Sequence, residues 1–184
     1  MTRRFALVDR DGTINEERNH LARPDEVALI PGSARALVRL RDELGMGTVV
    51  VTNQAQIGRG LLTTEELGAI HARLLALLDA EGASVDAILH CPHRPEDGCA
   101  CRKPLPGMAY EAADRFGFDP VQAVVIGDHA SDMGMGAAIG ATTILVRTGH
   151  GIEEQAGSGP FADHKADDLE AAVDIIARLV AQEG

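Results

Sequence analysis

The chain has no tryptophan, one tyrosine and four phenylalanines, so aromatic residues make up only 3% of its 184 positions. Its interior must be filled by Leu, Val, Ile and Ala, which suits a parallel α/β core without being diagnostic of one. Positive charge is also scarce, with 17 Lys and Arg against 28 Asp and Glu, for a formal charge of −11. That balance argues against a surface made for nucleic acid or membrane phosphates, so neither is an expected partner. It also repels a phosphorylated ligand at long range, and local cations must overcome the overall field. Nowhere do about 18 consecutive apolar residues occur, so no segment reads as a bilayer-spanning helix. The apolar run behind Arg3 and Arg4 is too short for a signal peptide and stops at Asp9, so no cleavage is expected. Three cysteines leave one unpaired, which with no secretory context points to reduced thiols in the cytoplasm.

What is there reads as an alternation of short apolar runs and helical patterns, the signature of a doubly wound α/β sheet. Strands are expected near 5–9, 48–52, 85–90, 122–127 and 142–146. Ser33 can cap a helix running to about Leu44 and ended by Gly45. Thr63-Thr64-Glu65-Glu66 is a capping box for a longer helix, in which Leu67, Ile70, Leu74, Leu77 and Leu78 recur at core spacing. Further helices are expected from Pro106, from Ser131 and over about 167–181, whereas Gly149 to Pro160 reads as a mobile glycine-rich loop. There is no internal repeat, and with 45% hydrophobic residues the 184-residue chain predicts one domain, residues 1–184.

The chemistry concentrates at the ends of the apolar runs. Phe5-Ala6-Leu7-Val8 leads into Asp9-Arg10-Asp11-Gly12-Thr13, two carboxylates one residue apart before a glycine turn. A parallel sheet collects reactive groups at the carboxyl ends of its strands, so one carboxylate can act as nucleophile while its neighbour moves a proton. A second run ends in Thr52 and Asn53, a hydroxyl and an amide able to bond phosphate oxygens. Arg102-Lys103-Pro104 supplies cations, and Ala123-Val124-Val125-Ile126-Gly127-Asp128 adds a carboxylate suited to magnesium, followed by Asp132. In that order these segments resemble the four motifs of the haloacid dehalogenase (HAD)-like phosphatases. The resemblance implies a Rossmann-like, HAD-type parallel sheet with Asp9 as the nucleophile that forms an aspartyl-phosphate and Asp11 as general acid/base. Thr52 and Lys103 would hold the phosphoryl oxygens. Magnesium would be bound by Asp9, the Asp11 carbonyl and Asp128, with Asp132 in support. Only one loop and one helix fit between Asp11 and the second strand, so no separate cap domain is expected.

All three cysteines fall in His90-Cys91-Pro92-His93-Arg94-Pro95-Glu96-Asp97-Gly98-Cys99-Ala100-Cys101. Cys-x-His and Cys-x-Cys joined by a short turn can place Cys91, His93, Cys99 and Cys101 around a tetrahedral ion. All four positions are then filled, as in a structural zinc site. A disulfide and three plain thiols are the competing readings, and His93 is preferred over His90 as the ligand. Cys101 runs directly into Arg102 and Lys103, so a metal in the loop of about 90–103 would fix the take-off of both cations. The pattern resembles the zinc-loop subgroup of HAD-like phosphatases that act on heptose 1,7-bisphosphate or histidinol phosphate.

That likeness implies a small phosphorylated sugar as substrate, heptose 1,7-bisphosphate foremost and histidinol phosphate as the alternative, handled by a monomer. Arg102 is the leading candidate for a second phosphate, because a guanidinium binds oxyanions bidentately. Arg18, His20, Asn53, Gln54 and His129 are further substrate-binding candidates, with Arg59 able to assist. The first loop lacks the glycine-tyrosine associated with heptose phosphatases, and Ala55 and His129 stand where serine and lysine are frequent. Two non-enzymatic readings remain open: a phospho-accepting signalling domain, and a zinc-stapled interaction module. In signalling receivers, however, the acceptor follows a middle strand, and here it follows the first.

Overall fold

A computed structural model describes residues 3–18, 21–156 and 162–183. Six strands form one parallel sheet: β1 (Phe5–Val8), β2 (Gly47–Asn53), β3 (Ala87–Cys91), β4 (Val124–Gly127), β5 (Thr142–Val146) and β6 (His164–Ala166). Their order is β3-β2-β1-β4-β5-β6. The chain therefore winds outward from β1 to β3, returns to lay β4 beside β1, and winds outward again. Strand order reverses between β1 and β4, the place where a crevice opens at the carboxyl ends of a doubly wound sheet.

The helices are α1 (Ser33–Asp42), α2 (Ala55–Gly58), α3 (Thr64–Ala80), α4 (Gly107–Phe116), α5 (Ala130–Ile139), α6 (Gly151–Ala156) and α7 (Leu169–Glu183). Strand side chains alternate between two cores. Ala6, Val8, Val50, Val124 and Ile126 pack with buried residues of α1, α3 and α7, whereas Phe5, Leu7, Val49, Val51 and Val125 pack with those of α4 and α5. The second core also gathers the scarce aromatics: the Phe5 ring stacks on Phe118 and Phe116, with centroids 4.5 and 5.4 Å away.

The expected strands and helices form, with differences at particular elements. β6 was not expected; it pairs parallel with β5 at the sheet edge. Ser33 does not cap α1, because Gly32 holds the N-cap in a left-handed conformation and the helix stops at Asp42. Thr63 does cap α3: its hydroxyl accepts from the Glu66 N–H while the Glu66 carboxylate accepts from the Thr63 N–H. α4 begins at Gly107 with Pro106 as its N-cap. α5 begins at Ala130, one residue before Ser131, with His129 as its cap. The stretch read as a loop over 149–160 contains α6, and residues 157–160 lie outside the described residues. Between Asp11 and β2 the described elements are one short 3-10 turn, Pro24–Glu26, and α1.

Candidate active site

Asp9 continues β1, its N–H donating to the carbonyl of Ile126 at 2.9 Å, so its carboxyl stands at the β1/β4 reversal. Three carboxylates meet there: an oxygen of each of Asp9, Asp128 and Asp132 lies within 4.8 Å of the others. Lys103 enters from the loop after β3 and is buried among them. Its ammonium donates to Asp9 Oδ1 at 2.7 Å, to Asp132 Oδ1 at 2.6 Å and to the Val51 carbonyl at 2.7 Å, which uses all three of its hydrogens. Burial opposes the lysine's charge, but Asp132 and Asp9 overcome it and raise its pKa.

One ammonium does not balance three carboxylates. Burial first, then the charges of Asp132 and Asp11, push the Asp9 pKa up to about 7 despite the pull of Lys103. Burial and the charge of Asp9 push Asp128 to about 8. With all three ionised the cluster carries a net charge of −2, which a divalent cation would cancel. Asp132 is committed elsewhere, because its second oxygen accepts from the His129 N–H that opens α5. Asp128 accepts from the His150 N–H. Gly12 lets the turn after Asp11 press onto this group: its φ is +77°, and a Cβ there would collide with the Asp128 carboxylate.

Asp11 faces the same crevice with different partners. Asn15 Nδ2 donates to its Oδ1 at 2.9 Å, and Gln54 Nε2 to its Oδ2 at 3.1 Å. Arg10, 1% exposed, donates from Nε to both oxygens at 3.1 Å and from Nη2 to Oδ2 at 2.6 Å. Burial alone would raise the Asp11 pKa, yet the charge and hydrogen bonds of Arg10, aided by Asn15 and Gln54, hold it below the usual value. Arg10 escaped the sequence reading, because an arginine beside two aspartates reads as a solvated charge.

The remaining candidates divide by how far their groups are already used. Gln54 Nε2 also donates to Thr52 Oγ at 2.8 Å, which leaves the threonine's own proton for another acceptor. Asn53 is spent on the protein: its Oδ1 accepts from the Lys103 N–H and its Nδ2 donates to the Lys103 carbonyl, both at 3.1 Å. These two bonds tie Asn53 to the lysine loop, contacts its position at the end of an apolar run did not announce. The crevice holds about 320 Å³, and Arg18, Arg59, Arg102, His129 and His150 stand exposed or half-buried along it. Arg18 pairs with Glu16, Arg102 Nη1 donates to the His93 carbonyl, and His129 Nε2 lies 3.2 Å from Glu154. His20 lies outside the described residues. Glu17 and His150 also line the crevice and were not singled out from the sequence.

Beside this crevice, Cys91, His93, Cys99 and Cys101 form a second cluster. None of the cysteines is disulfide-bonded. The Cys91 sulfur lies 3.6 Å from that of Cys99 and 3.2 Å from that of Cys101. His93 Nδ1 is 3.6 Å from the Cys91 sulfur and 3.3 Å from that of Cys101. Four ligands on one tetrahedral zinc would be separated by about 3.5–3.8 Å, given zinc–sulfur and zinc–nitrogen bonds of about 2.3 and 2.0 Å. The donor set fits zinc, and two of these separations lie in that range while the two to Cys101 are shorter. His90 is not among the donors; its ring lies against His71, with centroids 5.9 Å apart.

Comparison with known proteins agrees with this geometry. The HAD-hydrolase-like family profile matches residues 100–172. A D-glycero-β-D-manno-heptose-1,7-bisphosphate 7-phosphatase of Bordetella bronchiseptica is 39% identical over 173 residues, covering 93% of this chain and 96% of that protein. The enzyme of the same name from Pseudomonas aeruginosa is 37% identical over 172 residues, with 93% and 96% coverage. The crystal structure of the B. bronchiseptica D,D-heptose 1,7-bisphosphate phosphatase, complexed with magnesium and phosphate, superposes with a TM-score of 0.89 at 38% identity, covering 95% of this chain and 98% of that one. With its parallel sheet, its carboxylate and lysine cluster at the strand reversal and its likeness to these proteins over nearly their whole length, the chain belongs to the HAD-like phosphatases.

Proposed function

We propose that the chain, acting as a single-domain monomer in the cytoplasm, is a magnesium-dependent phosphomonoesterase. Its proposed reaction removes the 7-phosphate of D-glycero-β-D-manno-heptose 1,7-bisphosphate. The observation that carries this reading is the buried Lys103 ammonium held between Asp9 and Asp132, with Asp128 beside them. Asp9, Asp128 and the Asp11 carbonyl would hold magnesium, which supplies the positive charge that an anionic nucleophile needs to approach a phosphate.

Lys103 fixes one oxygen of Asp9, and the other attacks phosphorus. The bond from phosphorus to the sugar oxygen breaks, and that oxygen takes a proton from Asp11. In the second half Asp11 takes a proton from water as the water oxygen attacks the aspartyl-phosphate. Inorganic phosphate leaves and the Asp9 carboxylate returns. The positive charge of Lys103 and the hydroxyl proton of Thr52 stabilise charge spread over the equatorial oxygens. Asp132 keeps Lys103 in place. Arg102, with Arg18, Gln54 and His129 along the same crevice, receives the rest of the substrate, and Arg102 suits its second phosphate; His20 is a further candidate on its sequence position alone. Zinc on Cys91, His93, Cys99 and Cys101 would be structural, since four protein ligands close its coordination.

Phosphate release with magnesium from a panel tests the reading: heptose 1,7-bisphosphate in both anomers, histidinol phosphate and a 3′-phosphorylated oligonucleotide. The β-anomer is expected to lead. A lead for histidinol phosphate would keep the mechanism and replace the substrate. Silence across the panel with a long-lived phosphoenzyme would make the chain a phospho-accepting domain instead.

A further inference from the structure

Asp11 owes most of its hydrogen bonds to the residue beside it. Neighbouring side chains on an extended strand point to opposite faces, so Arg10 reaches Asp11 only because the chain turns immediately after β1. The Arg10 carbonyl anchors that turn, accepting from the N–H groups of Ile14 at 2.9 Å and Asn15 at 3.1 Å. Its guanidinium grips the carboxylate in a fork through Nε and Nη2. Nη1 is buried without a protein partner, so among the described residues every hydrogen bond of this guanidinium ends on Asp11. His71, on α3, adds no second cation nearby: burial and the Arg10 charge push its pKa down to about 4, leaving the imidazole neutral.

We propose that Arg10 is a positioning residue for Asp11. It grips the carboxyl at the crevice and stabilises the carboxylate that remains once a proton has passed to an alkoxide leaving group. The inference rests on the proposed general acid/base role of Asp11. When phosphorus is transferred to Asp9, the bond to the leaving oxygen breaks and a sugar alkoxide must take the Asp11 proton as it departs. A p-nitrophenolate departs without one. Loss of Arg10 is therefore felt according to the leaving group, which a general loosening of the fold would not produce.

The test compares wild type, Arg10→Gln and Arg10→Lys on heptose 1,7-bisphosphate and on p-nitrophenyl phosphate, with magnesium and on the same protein sample. The ratio of the two rates cancels any unfolded fraction. For Arg10→Gln, kcat on the bisphosphate is expected to fall about 10²-fold and kcat on the aryl phosphate by less than about tenfold. Arg10→Lys keeps the charge without the fork, and its ratio is expected to stay nearer that of Arg10→Gln than of wild type. Equal loss on both substrates, loss of all aryl activity, or full restoration by lysine would overturn the proposal. Wild-type inactivity on both substrates would instead overturn the phosphatase reading on which it rests.

Discussion

The two side-chain clusters of this protein are built in opposite ways. Cys91, His93, Cys99 and Cys101 lie within eleven consecutive positions and are exposed or half-buried apart from Cys91. Their loop needs little more than a 3-10 turn, Pro95–Asp97, and a left-handed Gly98 to bring them together. Asp9, Thr52, Lys103, Asp128 and Asp132 come from segments up to 123 positions apart and are all buried. They converge only because β1, β2 and β4 are neighbours and Lys103 threads between them. A local cluster can be stabilised by the ion it binds, whereas a convergent one inherits its geometry from the whole sheet. The two touch in sequence, since Cys101 and Lys103 are two residues apart.

The sharpest way to separate them is to remove Asp9, the proposed nucleophile. Asp9→Asn is expected to lower phosphate release by roughly 10⁴-fold or more. It should also leave the metal-free melting temperature unchanged or higher, because it takes one negative charge out of an overcharged buried cluster. Retained turnover would end the assignment of Asp9. A smaller effect is expected across the junction: Cys99→Ser should lose zinc, measured by elemental analysis, and lower kcat on the order of tenfold by loosening the take-off of Lys103. Full activity without zinc would show the two clusters to be independent. The smallest effect concerns pH. In the folded, metal-free protein burial and neighbouring carboxylates push Asp9 and Asp128 up to about 7 and about 8, against about 3.9 when unfolded. Between those values the folded state holds protons that the unfolded state has released, so this stabilisation is full below about pH 4, erodes as pH rises and is gone above about pH 8. The proposed magnesium site needs both carboxylates ionised, so the gain in melting temperature on adding magnesium should be larger at about pH 9 than at about pH 6. An equal gain at both would place the ion elsewhere.

The contrast also governs what could be read from the sequence. The thiol cluster is written in a short stretch, and its spacing suffices to propose a metal. The strand-end residues were legible because each closes an apolar run, as Asp9 closes Phe5–Val8 and Asp128 closes Val124–Gly127. Their side-chain partners were not legible. Arg10 is buried by the turn it helps to hold, and Asn53 bonds a backbone fifty positions away. β6 is a three-residue edge strand, His-Lys-Ala, with no apolar alternation to announce it. Helix α6 was hidden by glycines that read as flexibility. Gly151 is instead required by packing, because a Cβ there would strike the Val146 carbonyl.

The strand order sets a timetable for the growing polypeptide. β1 is made first, yet its two neighbours in the sheet are β2, about forty residues later, and β4, which starts at Val124. As the chain leaves the ribosome from its N-terminus, the thiol loop is complete once Cys101 has emerged. Lys103 follows at once, but its partner Asp132 is still unmade. Of its two carboxylate partners in the finished fold, the ammonium has at that stage only Asp9 already made. Asp9 is thus the first residue of its cluster to be synthesised, and its full environment is the last to be completed.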